Sequence, residues 1–386
     1  MLIASFVALV VAWLVARFVV RRARGGALRM NDFDLSGPQK FHSVPVPRIG
    51  GVALVSGVLV GVALACWMIQ PVAWPAALLL ACAVPAFASG LTEDFTKTQS
   101  PRRRLFFTAV SAALACWVLD ARITHSDLPV LDSLLAWTAG SVVVTLFVVA
   151  GVANSMNIID GFNGLASMCG MLILAAVGIV AAQVGDRTVM LVALLGIAGA
   201  AGFFFWNYPK GRIFLGDGGA YFLGFWVAES AILLLCRNPQ VSPLFALTVC
   251  LYPVFETVFS MYRRKLRGLP VGAPDGIHLH SLIYRRLTRW AVGRRSAYSQ
   301  ARRNAMTSPY LWLMCALATL PAAVFWDSTP ALLGCIVAYG FVYAGLYWRI
   351  VRFRAPRWMR PRRATPPVFH AETAPIESGS FARRRG

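Results

Sequence analysis

The residues best equipped for chemistry fall in five short polar stretches set between long apolar runs. Glu93 and Asp94 stand side by side in 92–104, just past one such run. Adjacent carboxylates at a membrane boundary are costly unless a cation offsets them. Mg²⁺ takes such oxygen ligands and commonly shares them with substrate phosphates. A solvated pair at a helix end, bonded to Lys97 or to the arginines of 102–104, is the plainer alternative. Asn154, Asn157, Asp160 and Asn163 recur at every third position, which on a helical turn puts them on roughly one face. Amides and carboxylates together can read the donor and acceptor edge of a base, and Gly161 and Gly164 permit close backbone approach. Polar helix–helix contacts would use the same residue types.

A third stretch, 207–218, ends with Phe214, Gly216, Asp217 and Gly218, and Gly219 follows. An aspartate opening a helix can be a simple cap, but helix N-termini also bind phosphate, and Phe214 could stack on a base. His278 and His280, two of only five histidines, follow Asp275 and Gly276 in a basic segment. Their spacing places both on one face of an extended chain. Zinc would need more ligands than stand nearby, so phosphate or sugar contact is weighed against ordinary loop histidines. The last stretch, 39–51, offers Lys40 and Arg48 ahead of Gly50 and Gly51, either as phosphate contacts or as snorkelling anchors.

The elements that must position these residues are membrane helices. Hydrophobic residues make up 58% of the chain, charged ones 14%, and the mean hydropathy is +0.63. Apolar runs can be read at 2–20, 50–69, 74–91, 105–119, 131–152, 164–183, 189–206, 218–236, 243–262, 309–326 and 331–349. The expected fold is therefore all-α and integral to the membrane: a polytopic bundle of about eleven transmembrane helices with catalytic cytoplasmic loops. Residues 1–352 form one membrane domain in this reading. Residues 353–386 form a basic, Arg- and Pro-rich tail with the composition of a disordered segment. The eight cysteines all fall in apolar runs with no CxxC pair, which gives no sign of a disulfide framework or a zinc site.

Charge sets the expected orientation. If the C-terminus is cytoplasmic, 34 of the 37 lysines and arginines lie on that side, and only Arg122, Arg187 and Arg237 lie opposite. Such a bias places the N-terminus in the periplasm and the C-terminus in the cytoplasm of an inner membrane. The positive cluster at Arg21, Arg22 and Arg24 follows the first apolar run, so that run reads as an anchor and not as a cleaved leader. All five polar stretches then share the cytoplasmic side. The net charge of +21 faces anionic membrane lipids and anionic substrates, which excludes nucleic acid as the expected partner.

At this point the residues resemble a known family, the bacterial polyprenyl-phosphate N-acetylhexosamine-1-phosphate transferases, of the glycosyltransferase family 4 type. The resemblance spans 38–282. It rests on NSMNIIDGFNGL at 154–165 and FLGDGG at 214–219, supported by PVPRIGG at 45–51 and DGIHLH at 275–280. It implies transfer of a sugar 1-phosphate, most often GlcNAc 1-phosphate, from a UDP-sugar to undecaprenyl phosphate. UMP is released, and the product starts an O-antigen, capsule or exopolysaccharide. Donors of the QuiNAc or FucNAc type remain open, and a muramoyl-pentapeptide donor fits the basic loops less well. The implied cofactor is Mg²⁺, with Mn²⁺ as a substitute, and a homodimer is left open. Asp217 matches the principal metal ligand, with Asp94 beside it. Asn157 and Asp160 match nucleotide-associated residues, and Phe214 matches a uracil-stacking position. The family has an aspartate pair where this chain has Glu93 and Asp94, which leaves Glu93 open as metal ligand or base. Gly276 and Ser281 also depart from the usual histidine motif.

A transporter of lipid-linked sugar is the competing class. It should carry ionisable groups near the bilayer midplane, and the carboxylates well inside apolar runs are Glu229 and Glu256 alone.

Overall fold

The computed structural model describes residues 1–24, 31–32, 46–268, 278–288 and 297–352, with the side chains of 31–32, 287–288 and 297–300 left out. Lys40 and the tail 353–386 lie outside that description. Helices account for almost everything described. They run in order as α1 (Leu2–Arg24), α2 (Gly50–Cys82), α3 (Val84–Thr96), α4 (Pro101–Leu119) and α5 (Pro129–Leu135). Next come α6 (Thr138–Ile159), α7 (Leu165–Gln183), α8 (Arg187–Asn207), α9 (Gly216–Arg237), α10 (Leu244–Val249) and α11 (Leu251–Leu266). The chain closes with α12 (Leu279–Leu282), a π-helical turn over Ile283–Thr288, α13 (Ala297–Val324) and α14 (Thr329–Val351). One two-residue antiparallel ladder joins Asn31–Asp32 to Val46–Pro47.

The molecule is an all-α polytopic membrane protein. Among the described residues, eight helices are long and apolar enough to cross a bilayer unaided: α1, α2, α6, α7, α8, α9, α13 and α14. The remaining apolar stretches fall where helices are broken or charged. The runs at 50–69 and 74–91 share α2, whose backbone leaves helical geometry at Ile69 (φ −144°, ψ 49°) just before Pro71. The second run then continues past Ala83 into α3. The run at 105–119 lies in α4, which begins with three arginines. That at 243–262 is divided at Cys250 between α10 and α11.

Small residues let the helices approach closely, as lipid-embedded packing favours. Ala4, Ala8, Ala12 and Ala16 recur every fourth residue on α1, and all four are buried. This stripe meets Gly57 and Gly61 of α2 and Gly202 of α8. A Cβ on Gly57 would stand 2.5 Å from the Ala8 carbonyl oxygen, and one on Gly202 2.4 Å from that of Leu9. Helix α9 occupies the centre, packed by α2, α3, α6, α7 and α8. Of its most apolar stretch 94% is buried, against 22% for α14. Large apolar side chains such as Trp67, Trp117, Phe147 and Phe341 point outward, as a lipid-facing surface requires.

The two ends of the bundle are chemically distinct. At one end the Asp186 carboxylate accepts hydrogen bonds from the backbone N–H groups of Thr188 and Val189, from Arg237 Nε at 2.7 Å and from Asn238 Nδ2 at 3.0 Å. Cys236 Sγ reaches the Arg122 carbonyl there as well, so Arg122 and Arg237, two of the three minority arginines, sit together. Burial pushes the Asp186 carboxyl up, but these donors outweigh it and hold it below the usual carboxylate range. A depressed pKa contributes stability above the unfolded value of about 4, lost as pH falls through the lower folded value. Asp186→Ala is therefore expected to lower the melting temperature at pH 7, with the gap from wild type closing in acid. Melting curves in detergent at several pH values would check this.

Candidate active site

At the other end, Asp217 occupies the first turn of α9, and its carboxylate collects donors from three elements. Asn157 Nδ2, near the end of α6, donates to Oδ1 at 3.1 Å, and Arg48 Nη2 approaches the same oxygen at 3.5 Å. Arg104 Nη1, from α4, pairs with Oδ2. Both partners of that pair are largely shielded, the Arg104 side chain being 12% exposed and that of Asp217 11%.

Asp94 explains why α9 begins where it does. The segment before Asp217 supplies no side-chain cap of its own, which leaves the first N–H groups of the helix in need of acceptors. Asp94, from α3, takes that place from across the fold. Its Oδ1 accepts the Asp217 N–H at 2.8 Å and its Oδ2 the Gly218 N–H at 2.9 Å. An anionic group at a helix N-terminus is also favoured by the helix dipole. Burial pushes the Asp94 carboxyl up to about 7, with the Gly218 N–H and Arg48 pulling in the other direction. Asp160, the residue that ends α6, feels the same site: burial raises it well above the carboxylate range, Arg48 opposes this and Asp94 adds to it.

The glycines make these approaches possible. Gly216 has φ +76°, and a Cβ on it would fall 2.0 Å from the Arg48 carbonyl oxygen and 2.6 Å from Asp94 Oδ2. A Cβ on Gly90 of α3 would meet the Asp217 backbone at 2.6 Å, and one on Gly51 the Gly219 nitrogen at 2.4 Å. Backbone bonds from Gly50 to the Phe214 carbonyl (2.9 Å) and from Gly51 to that of Leu215 (2.7 Å) fasten the start of α2 to the approach to α9. Phe214 itself is half-buried at this junction.

The other expected residues divide into those that join this cluster and those that do not. Asn154 accepts the Tyr221 hydroxyl at 3.3 Å, and Arg104 lies over the Tyr221 ring at 5.6 Å, so Asn154 is tied to the cluster through Tyr221. Glu93 turns the other way: its Oε2 accepts the Gln99 N–H at 2.6 Å and closes the turn between α3 and α4. Asn163 is spent on the fold. Its Nδ2 donates to the Pro209 carbonyl at 3.1 Å, its N–H to Asn304 at 2.8 Å, and its carbonyl accepts from Ser308 at 2.6 Å. His278 and His280 are buried against Glu256 of α11, and the His280 ring meets Phe162 edge-on, 5.4 Å between centroids. This puts the histidine segment against the turn that carries Asp160.

Arg104 is the participant that residue types did not single out among its neighbours. Its signal is periodic: Arg104, Thr108, Ser111 and Ala115 form the inward face of α4, whereas Arg102 and Arg103 are exposed. The fold thus gathers three carboxylates, two guanidinium groups and an amide at one end of the bundle. Such a set suits a polyanionic ligand held with a hard cation.

Comparison with known proteins agrees with this chemistry. Residues 76–235 match the model of glycosyl transferase family 4. The chain is similar to a probable undecaprenyl-phosphate N-acetylglucosaminyl 1-phosphate transferase of Bacillus subtilis, 27% identical over 72% of this chain and 76% of the relative. A decaprenyl-phosphate N-acetylglucosaminephosphotransferase of Mycobacterium tuberculosis is 24% identical over 85% of each. A phospho-N-acetylmuramoyl-pentapeptide-transferase of Rhodopseudomonas palustris is 28% identical over 59% of this chain and 70% of the relative.

Proposed function

We propose that this chain, whose residues 76–235 match glycosyl transferase family 4, transfers N-acetylhexosamine 1-phosphate, GlcNAc 1-phosphate before others, from a UDP-sugar to undecaprenyl phosphate. UMP leaves, and the lipid-linked sugar diphosphate enters the synthesis of a cell-surface polysaccharide. The observation that carries this reading is the convergence of Arg48, Arg104 and Asn157 on Asp217, with Asp94 and Asp160 beside it.

The chemical difficulty is the meeting of two anions. A phosphomonoester has a second pKa near 6, so the lipid phosphate is already mostly dianionic at neutral pH and needs little help from a base. What it needs is neutralisation and alignment. Arg48 and Arg104 supply two positive charges, and Asp217 holds both in place before substrate arrives. On binding, a guanidinium can move its hydrogen bonds from Asp217 to a phosphate. Lipid phosphate oxygen attacks the β-phosphorus of the donor, the bond from that phosphorus to the UMP oxygen breaks, and UMP carries the electron pair away.

Asp217, Asp94 and Asp160 are hard oxygen donors of the kind Mg²⁺ takes, with both Asp94 oxygens accepting from the start of α9. Led by Asp217, these residues would hold the ion, which would supply positive charge against the donor diphosphate. Glu93 is held toward its own turn by the Gln99 N–H on Oε2. Phe214 supports uracil binding by its position at the junction of α2 and α9.

The test offers purified protein a panel of UDP-sugars, UDP-MurNAc-pentapeptide included, with undecaprenyl phosphate, and measures UMP. UDP-GlcNAc should give the fastest release. EDTA should abolish it and Mg²⁺ restore it, with Mn²⁺ a partial substitute. No UMP from any donor would sink the reading, and full activity in EDTA would sink the metal. The charge bias, 34 of 37 basic residues on one side, supports a cytoplasmic active end in an inner membrane. A reporter fused to the C-terminus should then be active only in its cytoplasmic form.

A further inference from the structure

Glu256 lies within an apolar run, is 1% exposed, and takes no part in the Asp217 cluster. An ionisable group buried in a membrane bundle is costly without partners, and its partners here are specific. Oε2 accepts the hydroxyl of Tyr343 from α14. Oε1 stands 2.9 Å from His280 Nδ1, 3.8 Å from His278 Nδ1, and 3.4 Å from the His280 backbone nitrogen, which donates to it. The two imidazoles stack 4.9 Å apart and within 10° of parallel. At 2.9 Å the His280 Nδ1–Oε1 pair is within ion-pair distance, and this buried nitrogen has no other hydrogen-bond partner among the described residues.

The opposite edge of His280 faces the proposed site. A Cβ on Gly161 would stand 3.8 Å from His280 Nε2, which places that nitrogen across from the turn after Asp160. The two nitrogens of a histidine are not equivalent: the partner at one decides what the other presents.

We propose that Glu256, braced by Tyr343, is a positioning residue that holds His280 by Nδ1 so that Nε2 faces the Asp160–Phe162 turn, where it contacts a phosphate of the nucleotide-sugar. The ligand's identity rests on the transferase reading; the orientation of His280 does not. With Nδ1 turned to the carboxylate, an anionic oxygen at Nε2 would accept the N–H on the ring's other edge. The Tyr343 hydroxyl, by donating to Oε2, keeps the carboxylate from turning away, so Tyr343→Phe should shift the His280 signals in the same direction as Glu256→Gln.

The same three side chains could instead take a metal ion, since Glu256, His278 and His280 offer ligand atoms within 4.8 Å of one another. The experiment separates the two. Full-length protein with ¹⁵N-labelled histidine is compared as wild type, Glu256→Gln, Glu256→Asp and Tyr343→Phe by NMR, by kcat and KM for UDP-GlcNAc, and by metal content. The wild-type His280 signals should show Nδ1 protonated, and Glu256→Gln should shift them. Glu256→Gln should lower kcat roughly 10–100-fold, the scale for carboxylates that orient working histidines, and Glu256→Asp should recover part of it. Adding Glu256→Gln to His280→Asn should cost nothing further. Unchanged histidine signals and rates in Glu256→Gln would overturn the proposal. So would stoichiometric zinc in wild type that is lost in the variant, because Nδ1 would then be a ligand. If wild type released no UMP from any donor, the transferase reading would fail, while the NMR comparison would still decide whether Glu256 orients His280.

Discussion

Asp217→Asn should reduce UMP release at least about a hundredfold, equivalent to ~3 kcal/mol of lost transition-state stabilisation. The substitution keeps the shape of the side chain and removes its charge. Arg48 and Arg104 both lean on that carboxylate, so they lose the group that holds them ready, and the proposed divalent cation would lose an oxygen ligand. The backbone N–H groups of Asp217 and Gly218 remain capped by Asp94, so the start of α9 should survive. Size-exclusion profiles and melting curves in detergent should therefore stay close to wild type while turnover collapses. Turnover within a few-fold of wild type would remove Asp217 from the centre of the mechanism.

The second large effect is structural in origin. Gly216→Ala places a methyl group where the Arg48 carbonyl and Asp94 Oδ2 already stand, on a residue with φ +76°. The left-handed backbone alone costs roughly 1–2 kcal/mol for a residue with a Cβ, and an overfilled contact about 1–3 kcal/mol more. Relief requires Arg48 or Asp94 to move, and both belong to the site. The variant should lose both thermal stability and activity. Gly151→Ala is the control, because a Cβ there meets nothing within 4 Å, and it should match wild type in both. Equal behaviour of the two variants would show that the junction at Gly216 is looser than its geometry implies.

Local patterns carried much of this arrangement in the sequence itself. Long apolar runs announce helices, and Asn157, Asp160 and Asp217 are polar in places where polarity is expensive. What local pattern cannot carry is the partner across the fold. Asp94 reads as half of an acidic pair next to Glu93, yet it caps a helix that begins more than a hundred residues later, while Glu93 closes its own turn. Asn163 matches the spacing of Asn154 and Asn157, but α6 ends at Ile159. Helical spacing therefore lapses, and Asn163 turns to the carbonyl of Pro209. Glu256 reads as a lone charge in an apolar run until α14 and the histidine segment are brought against it. The number of helices that cross unaided was obscured for a related reason, since a break such as that at Ile69 depends on backbone geometry that hydropathy does not register.

The near-complete enclosure of α9 has a consequence for how the enzyme responds to its membrane. Lipids press on the outer helices, and α14, with little of its surface covered, must follow local changes in bilayer thickness by tilting. Asp217 is borne by a helix that scarcely touches lipid, and its depth is set by glycine contacts with α2 and α3. The reacting end is in this sense insulated from the bilayer. Thinning or thickening the membrane should change how the lipid acceptor enters long before it changes where the carboxylate stands.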